Sequence, residues 1–231
     1  VLLVVFCFVH SLVNAQVRKP QNDPGYDYKL LHFGFTVGLN TMDLGIKRNL
    51  EDGLFADVTR IEPGFQVTII SDLRLTNNLN LRFLPGISFG QRNFAYYQVD
   101  SLLKSTGLVK EIRVESSYLD FPLLLKYRSE RLNNYRPYLI GGLNFRYDMA
   151  ARKEYNEEEN VLVRLKPADL YIEAGFGIDY YLTYFKFAPE IKVGMGLINL
   201  RVKNPSDFAP WAIRSMDKIT SYVVMLNFHF E

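Results

Sequence analysis

Eight stretches of this chain alternate apolar and polar residues with a period of two. Each runs for about ten residues, the length a tilted strand needs to cross the hydrocarbon layer of a bilayer. The clearest sets Ile172, Ala174, Phe176, Ile178 and Tyr180 against Glu173, Gly175, Gly177 and Asp179. The same rhythm occupies Phe33–Leu39, Phe65–Ile69, Leu81–Phe89, Leu119–Tyr127, Leu139–Tyr147, Phe187–Leu197 and Tyr222–Phe230. The connections alternate too. Arg74–Asn78, Ser129–Asn134 and Leu182–Tyr184 are tight, whereas 41–63, 98–115, 148–168 and 199–218 are long and polar. Strict alternation of short and long connections predicts an all-β, eight-stranded antiparallel up-and-down transmembrane barrel. Its short turns and both termini would be periplasmic, and its long loops extracellular.

A soluble eight-stranded barrel would fit the period equally well, but with its apolar face turned inward. The glycines decide against it. Gly175, Gly177, Gly194, Gly196, Gly86 and Gly90 share the charged face, while the opposite face is bulky and aromatic. Glycine in a strand costs about 0.5–1 kcal/mol relative to Ala, which a soluble surface has no reason to bear and a crowded lumen does. The expected lumen therefore carries Arg82, Lys126, Arg146 and Lys192 against Asp120, Glu173, Asp179 and Glu190. Four charges of each sign predict a salt-bridged plug, since a barrel this narrow has room only for side chains. A proton or ion path through these groups is the alternative. Pro85, Pro122 and Pro189 fall inside strands, where each removes a ladder donor, so bulges or shifted boundaries are expected there.

Composition agrees. Tyr 15 and Phe 17 supply strand formers and interface aromatics. Lys+Arg 27 against Asp+Glu 25 leaves no basic excess for nucleic acid. A mean hydropathy of −0.05 is compatible with membrane strands, whose apolar residues come only at every second position. The one long apolar run lies at residues 1–13, too short to span as a helix. It ends at Val13-Asn14-Ala15, small enough for signal-peptidase cleavage before Gln16. No basic stretch or Met precedes it, so the recorded start reads as truncated. The expected organisation is a signal peptide over 1–15, a periplasmic N-terminal segment over 16–29 and the barrel over 30–231. Cys7 is the sole cysteine and would leave with the signal; bulky Phe6 before it argues against lipidation. No thiol then remains for a disulfide, a nucleophile or a metal site.

Motifs that hint at catalysis fail on context. Gly86-Ile87-Ser88-Phe89-Gly90 matches the serine-hydrolase elbow in letters, but an elbow is a sharp strand-to-helix turn and this continues an alternation. The Gly-x-Gly pairs lack a third glycine and a following helix. His32 and His229 lie near the chain ends without metal-ligand spacing and read as periplasmic-rim residues, possible neighbours where the first and last strands meet. No nucleophile, base and orienter can be assembled. The expectation is a protein that is not an enzyme and holds no cofactor or metal. The long connections carry Leu54, Phe55, Leu102, Leu103, Leu108, Val109, Phe208 and Trp211. These groups either cap the barrel by packing together or dock a partner, with Phe208 and Trp211 the candidate contacts. Asn156–Asn160 is acidic and reads as a solvated loop tip.

The stretch Ser117-Tyr118-Leu119-Asp120-Phe121-Pro122-Leu123-Leu124-Leu125-Lys126-Tyr127 resembles a recurring strand of small porin-like outer-membrane barrels. A narrower likeness follows in Arg131-Leu132-Asn133-Asn134-Tyr135-Arg136-Pro137-Tyr138-Leu139-Ile140-Gly141-Gly142, in Asn144–Tyr147 and in Tyr180–Phe187. Together these resemble the PorT family, barrels associated with the type IX secretion system. The resemblance spans about Phe65 to the C-terminus and brings no catalytic residues. It implies an accessory role in exporting cargo with C-terminal sorting signals, and in some relatives gliding. Outer-membrane lipid and other secretion-system proteins are then the expected partners. The alternative is a stand-alone surface barrel that binds a small ligand or adhesive target through its outer loops; a secretion defect on gene deletion separates the two.

Overall fold

The computed structural model describes residues 21–48, 54–99, 105–152, 165–202 and 216–231. Ten strands follow one another: β1 (Leu31–Arg48), β2 (Leu54–Ile61), β3 (Pro63–Arg74), β4 (Leu79–Phe83), β5 (Gly86–Val99), β6 (Ser105–Arg128), β7 (Tyr135–Asp148), β8 (Ala168–Tyr181), β9 (Lys186–Gly196) and β10 (Met216–Phe230). Glu62 alone separates β2 from β3, and Leu84–Pro85 separates β4 from β5. Counting each pair as one stave gives eight. All ladders are antiparallel, and the sheet closes on itself because β1 pairs with both β10 and β3.

The alternation turns one face of every stave outward. Ile69 is 64% exposed and Leu139 62%, whereas Arg82 and Lys126 are 0% exposed. This inversion, with charge inside and aliphatic side chains outside, suits a solvent of lipid rather than water. Aromatic pairs run across the outer face: Phe35 stacks on Phe230 at 5.1 Å between centroids, Phe187 on Phe228 at 6.1 Å. Such cross-strand pairs hold the register at which the barrel closes.

Pro85, Pro122 and Pro189 each sit at a defect. Pro85 lies in the break between β4 and β5, where its carbonyl still accepts from the Ile69 amide at 2.9 Å. Pro122 on β6 faces the same break, accepting from the Leu84 amide at 3.2 Å. The two donor losses thus fall together instead of spoiling two sites. Pro189 interrupts the β8–β9 ladder, whose register lapses between Gly177↔Glu190 and Tyr180↔Phe187.

The short turns lie at 75–78, 129–134 and 182–185. Asn133 takes φ 58°, a left-handed conformation that Asn tolerates better than most residues. The other end departs from the expectation of four long loops. β1 continues to Arg48 and β2 begins at Leu54; β5 continues to Val99 and β6 begins at Ser105. The stretches 41–63 and 98–115 are therefore mostly strand. In β1 the parity holds but the faces change character: Thr41, Asp43 and Lys47 take the outward positions while Met42 and Leu44 turn inward, so a search keyed to an apolar outward face stops at Leu39. Beyond Thr41↔Pro63, among the described residues, no ladder joins β1 to β2. The expected signal segment 1–15, Leu102, Leu103, the acidic run at 156–160, Phe208 and Trp211 lie outside the described residues.

Candidate functional site

The interior is the chemically distinctive part of the molecule. Because β-strands alternate, each inward position of a stave contributes one side chain to a layer of the lumen. All eight charged residues singled out from the sequence point into it and are buried. Six of them pair with one another. Lys126 Nζ donates to both carboxylate oxygens of Asp179 at 2.8 Å. Arg146 Nε donates to Asp120 Oδ1 at 2.5 Å, and Lys192 Nζ stands 2.6 Å from Glu173 Oε2.

Arg82 and Glu190 find other partners. Arg82 Nη2 reaches Asp72 Oδ2 at 2.6 Å and Glu231 Oε1 at 2.8 Å. Glu190 accepts from Tyr138 Oη at 3.0 Å and lies 3.2 Å from His229 Nε2. His229 is thus an interior residue, not a rim one: it is 1% exposed, and its Nδ1 is 2.7 Å from Thr36 Oγ1. Its parity with Asn227 marked it as inward, but nearness to the chain end suggested the rim. The tilt of the closing strands puts it well inside. Asp72 and Lys186 are further interior charges that were missed. Asp72 stands two inward positions beyond the segment where apolar partners made the alternation visible, and Lys186 stands one position before its own.

Ser88 shows why the hydrolase-like motif carries no nucleophile. It lies inside β5, donates to Asp120 and accepts from Arg146 Nη2 at 2.7 Å. Between the polar layers sit two apolar ones, Ile70, Leu84, Leu124, Tyr138, Ile140 and Ala188 in one, and Met42, Tyr118, Tyr171, Val223 and Met225 in the other. A mid-barrel cavity bounded by Gln66, Asp120, Asn144, Lys192 and His229 measures about 10 Å³, room for about one water.

The glycines make this crowding possible. A Cβ added at Gly177 would stand 2.5 Å from Tyr138 Cζ and 2.8 Å from the Pro189 carbonyl. Gly177→Ala should therefore cost about 1–3 kcal/mol, the usual range for overpacking. Denaturant unfolding in micelles checks it; an unchanged midpoint would mean that the Tyr138 ring yields freely.

The short-turn end is closed by the chain itself. Residues 22–30 cross it as a strap with a single 3₁₀ turn at Tyr26–Tyr28. The Tyr26 ring is buried, stacks on His32 at 4.2 Å and donates from Oη to Glu231 Oε2 at 2.7 Å. Asp27 accepts from Arg136 Nη1 at 2.8 Å and Tyr181 Oη at 3.0 Å, with Arg131 Nη1 at 3.4 Å and Arg128 Nη1 at 3.6 Å. Burial alone would push the Asp27 carboxyl up, but Arg136, the Tyr181 hydroxyl and Arg128 outweigh it and hold it below the usual aspartate value. Asn22 adds two bonds, from its amide to Asn134 Oδ1 at 2.9 Å and from Nδ2 to the Tyr181 carbonyl at 3.0 Å. No period marks this strap, so its docking was not visible in the sequence.

No curated protein matches the chain. Among solved structures, OprG from Pseudomonas aeruginosa superposes with a TM-score of 0.49 at 14% identity, covering 93% of this chain and 98% of OprG. Neisserial surface protein A gives 0.43 at 9% identity, over 87% of this chain and 98% of its own. The outer membrane protease OmpT from Escherichia coli gives 0.37 at 9%, over 87% and 94%. At these identities the likeness is one of fold alone. A family model described as an outer membrane protein beta-barrel domain matches residues 14–201. Closed ladder, inverted faces and family model agree: the chain belongs to the outer membrane protein beta-barrel domain family and is a transmembrane β-barrel of the bacterial outer membrane.

Proposed function

We propose that this barrel is a non-enzymatic, non-conducting accessory component of type IX protein secretion, working through its rims and loops. The observation that carries the reading is the use made of the stretch most specific to the PorT resemblance. Arg131, Asn134 and Arg136 all bind the strap across the short-turn end. In this reading that end and both termini face the periplasm, where the exposed residues of the strap are open to partners. A lumen packed with buried side chains supports a role other than solute passage, because the described residues fill the narrow interior. Phe208 and Trp211 remain the candidate loop contacts.

Extraction of the tagged protein in gentle detergent, with mass spectrometry of what co-purifies, tests this. Secretion components should be recovered, and removing 203–215, which carries Phe208 and Trp211 and leaves β10 whole, should release those held by the loop. A solitary barrel together with normal secretion after gene deletion would overturn the reading. That result would favour a stand-alone surface binder, for which a groove of about 400 Å³ at the long-loop end is available. Its lining includes Ile46, Lys47, Leu197, Lys218 and Tyr222.

A further inference from the structure

Beside the strap, at the short-turn end, two recesses in the wall lie side by side. The first is a cleft of about 300 Å³ between the strap and the turn that joins β8 to β9. The charges in its floor are already matched, since Lys186 Nζ stands 2.7 Å from Glu231 Oε2 beneath the Tyr26 ring. Its rim is different. There Lys29 and Asp23 are exposed charges of opposite sign, next to the exposed Thr183 and to Tyr184, which is 94% exposed. The second recess, about 310 Å³, lies on the apolar outer face and is lined by Phe35, Phe185, Phe230 and Glu231. Phe185 and Glu231 line both, so the recesses adjoin across these two residues and together make a groove with a hydrocarbon half and a half carrying one exposed charge of each sign.

We propose that this groove is a binding site for a single glycerophospholipid with a phosphoethanolamine headgroup. An acyl chain lies along Phe35, Phe185 and Phe230. The phosphate sits by Lys29 and the Thr183 hydroxyl, and the ammonium by Asp23. Charge complementarity selects this headgroup. A purely anionic one would satisfy Lys29 but place no cation on Asp23, and a further negative group would be repelled by it. Size separates the site from ordinary annular contact, because a lipid against a flat barrel wall has no recess for its headgroup. The exposed aromatics Tyr184 and Phe185 stand where a barrel carries its interface girdle, at headgroup depth. The site does not depend on a role in secretion.

Native mass spectrometry of the full barrel, released from micelles after adding phosphatidylethanolamine or phosphatidylglycerol with matched acyl chains, tests it. Wild type should retain the ethanolamine lipid about fivefold better, the discrimination expected of an exposed charge contact. Asp23→Ala with Lys29→Ala should bring its retention down to that of phosphatidylglycerol, and Phe185→Ala should lower retention of both. Heat-modifiable gel migration shows whether each variant is a folded barrel. Equal retention of the two lipids by wild type, which needs no variant, would overturn the proposal. Retention of neither lipid, or retention unchanged in the double variant, would do the same.

Discussion

Asp179→Ala should destabilise the barrel by about 3–5 kcal/mol, the cost of leaving a buried charge without its partner. Asp179 is fully buried and takes both contacts of the Lys126 ammonium at 2.8 Å, with Lys186 Nζ a further 3.8 Å away. Lys126 also lies 3.7 Å from the Tyr138 ring centroid, and the Arg82 guanidinium shares that ring at 5.9 Å. Removing one carboxylate leaves Arg82, Lys126 and Lys186 gathered around Asp72 and Glu231. The surrounding wall faces lipid, so water cannot enter from the sides to solvate them. Replacing both members, Lys126→Met with Asp179→Leu, should recover most of the loss, because an apolar pair of similar volume is about as stable as a buried ion pair. Unfolding by guanidinium in lipid vesicles, followed by heat-modifiable migration, measures both. A single variant within about 1 kcal/mol of wild type would mean a hydrated lumen, outside the range for buried pairs.

That prediction also marks where sequence reasoning stops. Parity alone placed Lys126 and Asp179 in the lumen, because inward positions are fixed by counting in twos from any apolar neighbour. Their pairing was not legible. The two residues stand on β6 and β8, separated by β7, and which layers meet across a stave depends on strand stagger. Neighbouring staves are easier. Asp120 and Arg146 face each other directly in the β6–β7 register, and Asp72 faces Arg82 in β3–β4. Even there the count must be extended past the visible segment to reach Asp72. The prolines were legible as trouble but not as a shared defect, since 85 and 122 meet only once the barrel closes. In the extension of β1 at the long-loop end, Asp43 and Lys47 take the outward positions and Met42 and Leu44 the inward ones, so the apolar outward face that marked the rest of the strand was no longer there to follow. The strap was least visible of all. Its hold depends on side chains more than 100 positions away, as with Asp27 and Arg136 (|i−j|=109).

Asp27→Ala should release the strap from the short-turn end at neutral pH while leaving the barrel folded. Asp27 collects contacts from Arg136, Tyr181, Arg131 and Arg128, and its side chain is 23% exposed. A charge-assisted cluster of this kind, discounted for partial exposure, contributes about 1–3 kcal/mol. The strap's other anchors are Tyr26, Asn22 and the backbone carbonyls that accept from Arg131 and Arg74, and Asp27 is its only carboxylate gathering several arginines, so a loss of that size shifts it toward opening. The bonds to watch are the amides of Tyr26, Tyr28 and Lys29, which donate to the carbonyls of Asp23, Gly25 and Tyr26. Their hydrogen-exchange protection, corrected for intrinsic rate, should fall about 5- to 100-fold in the variant, the range those energies imply. The pH dependence follows from the depressed carboxyl. Its stabilisation is fully present above the ordinary aspartate value of about 3.8 and is lost as pH falls through the lower value of the docked state. Wild type should therefore keep its strap closed from neutral pH down to about that point and open it only in stronger acid. Asp27→Asn should instead show low, nearly flat protection across the range, which separates this group from the other carboxylates that protonate in acid. Full protection in Asp27→Ala at pH 7 would sink the idea, because Arg131 on the carbonyls of Asn22 and Asp23, and Arg74 on that of Asp27, would then hold the strap without the carboxylate.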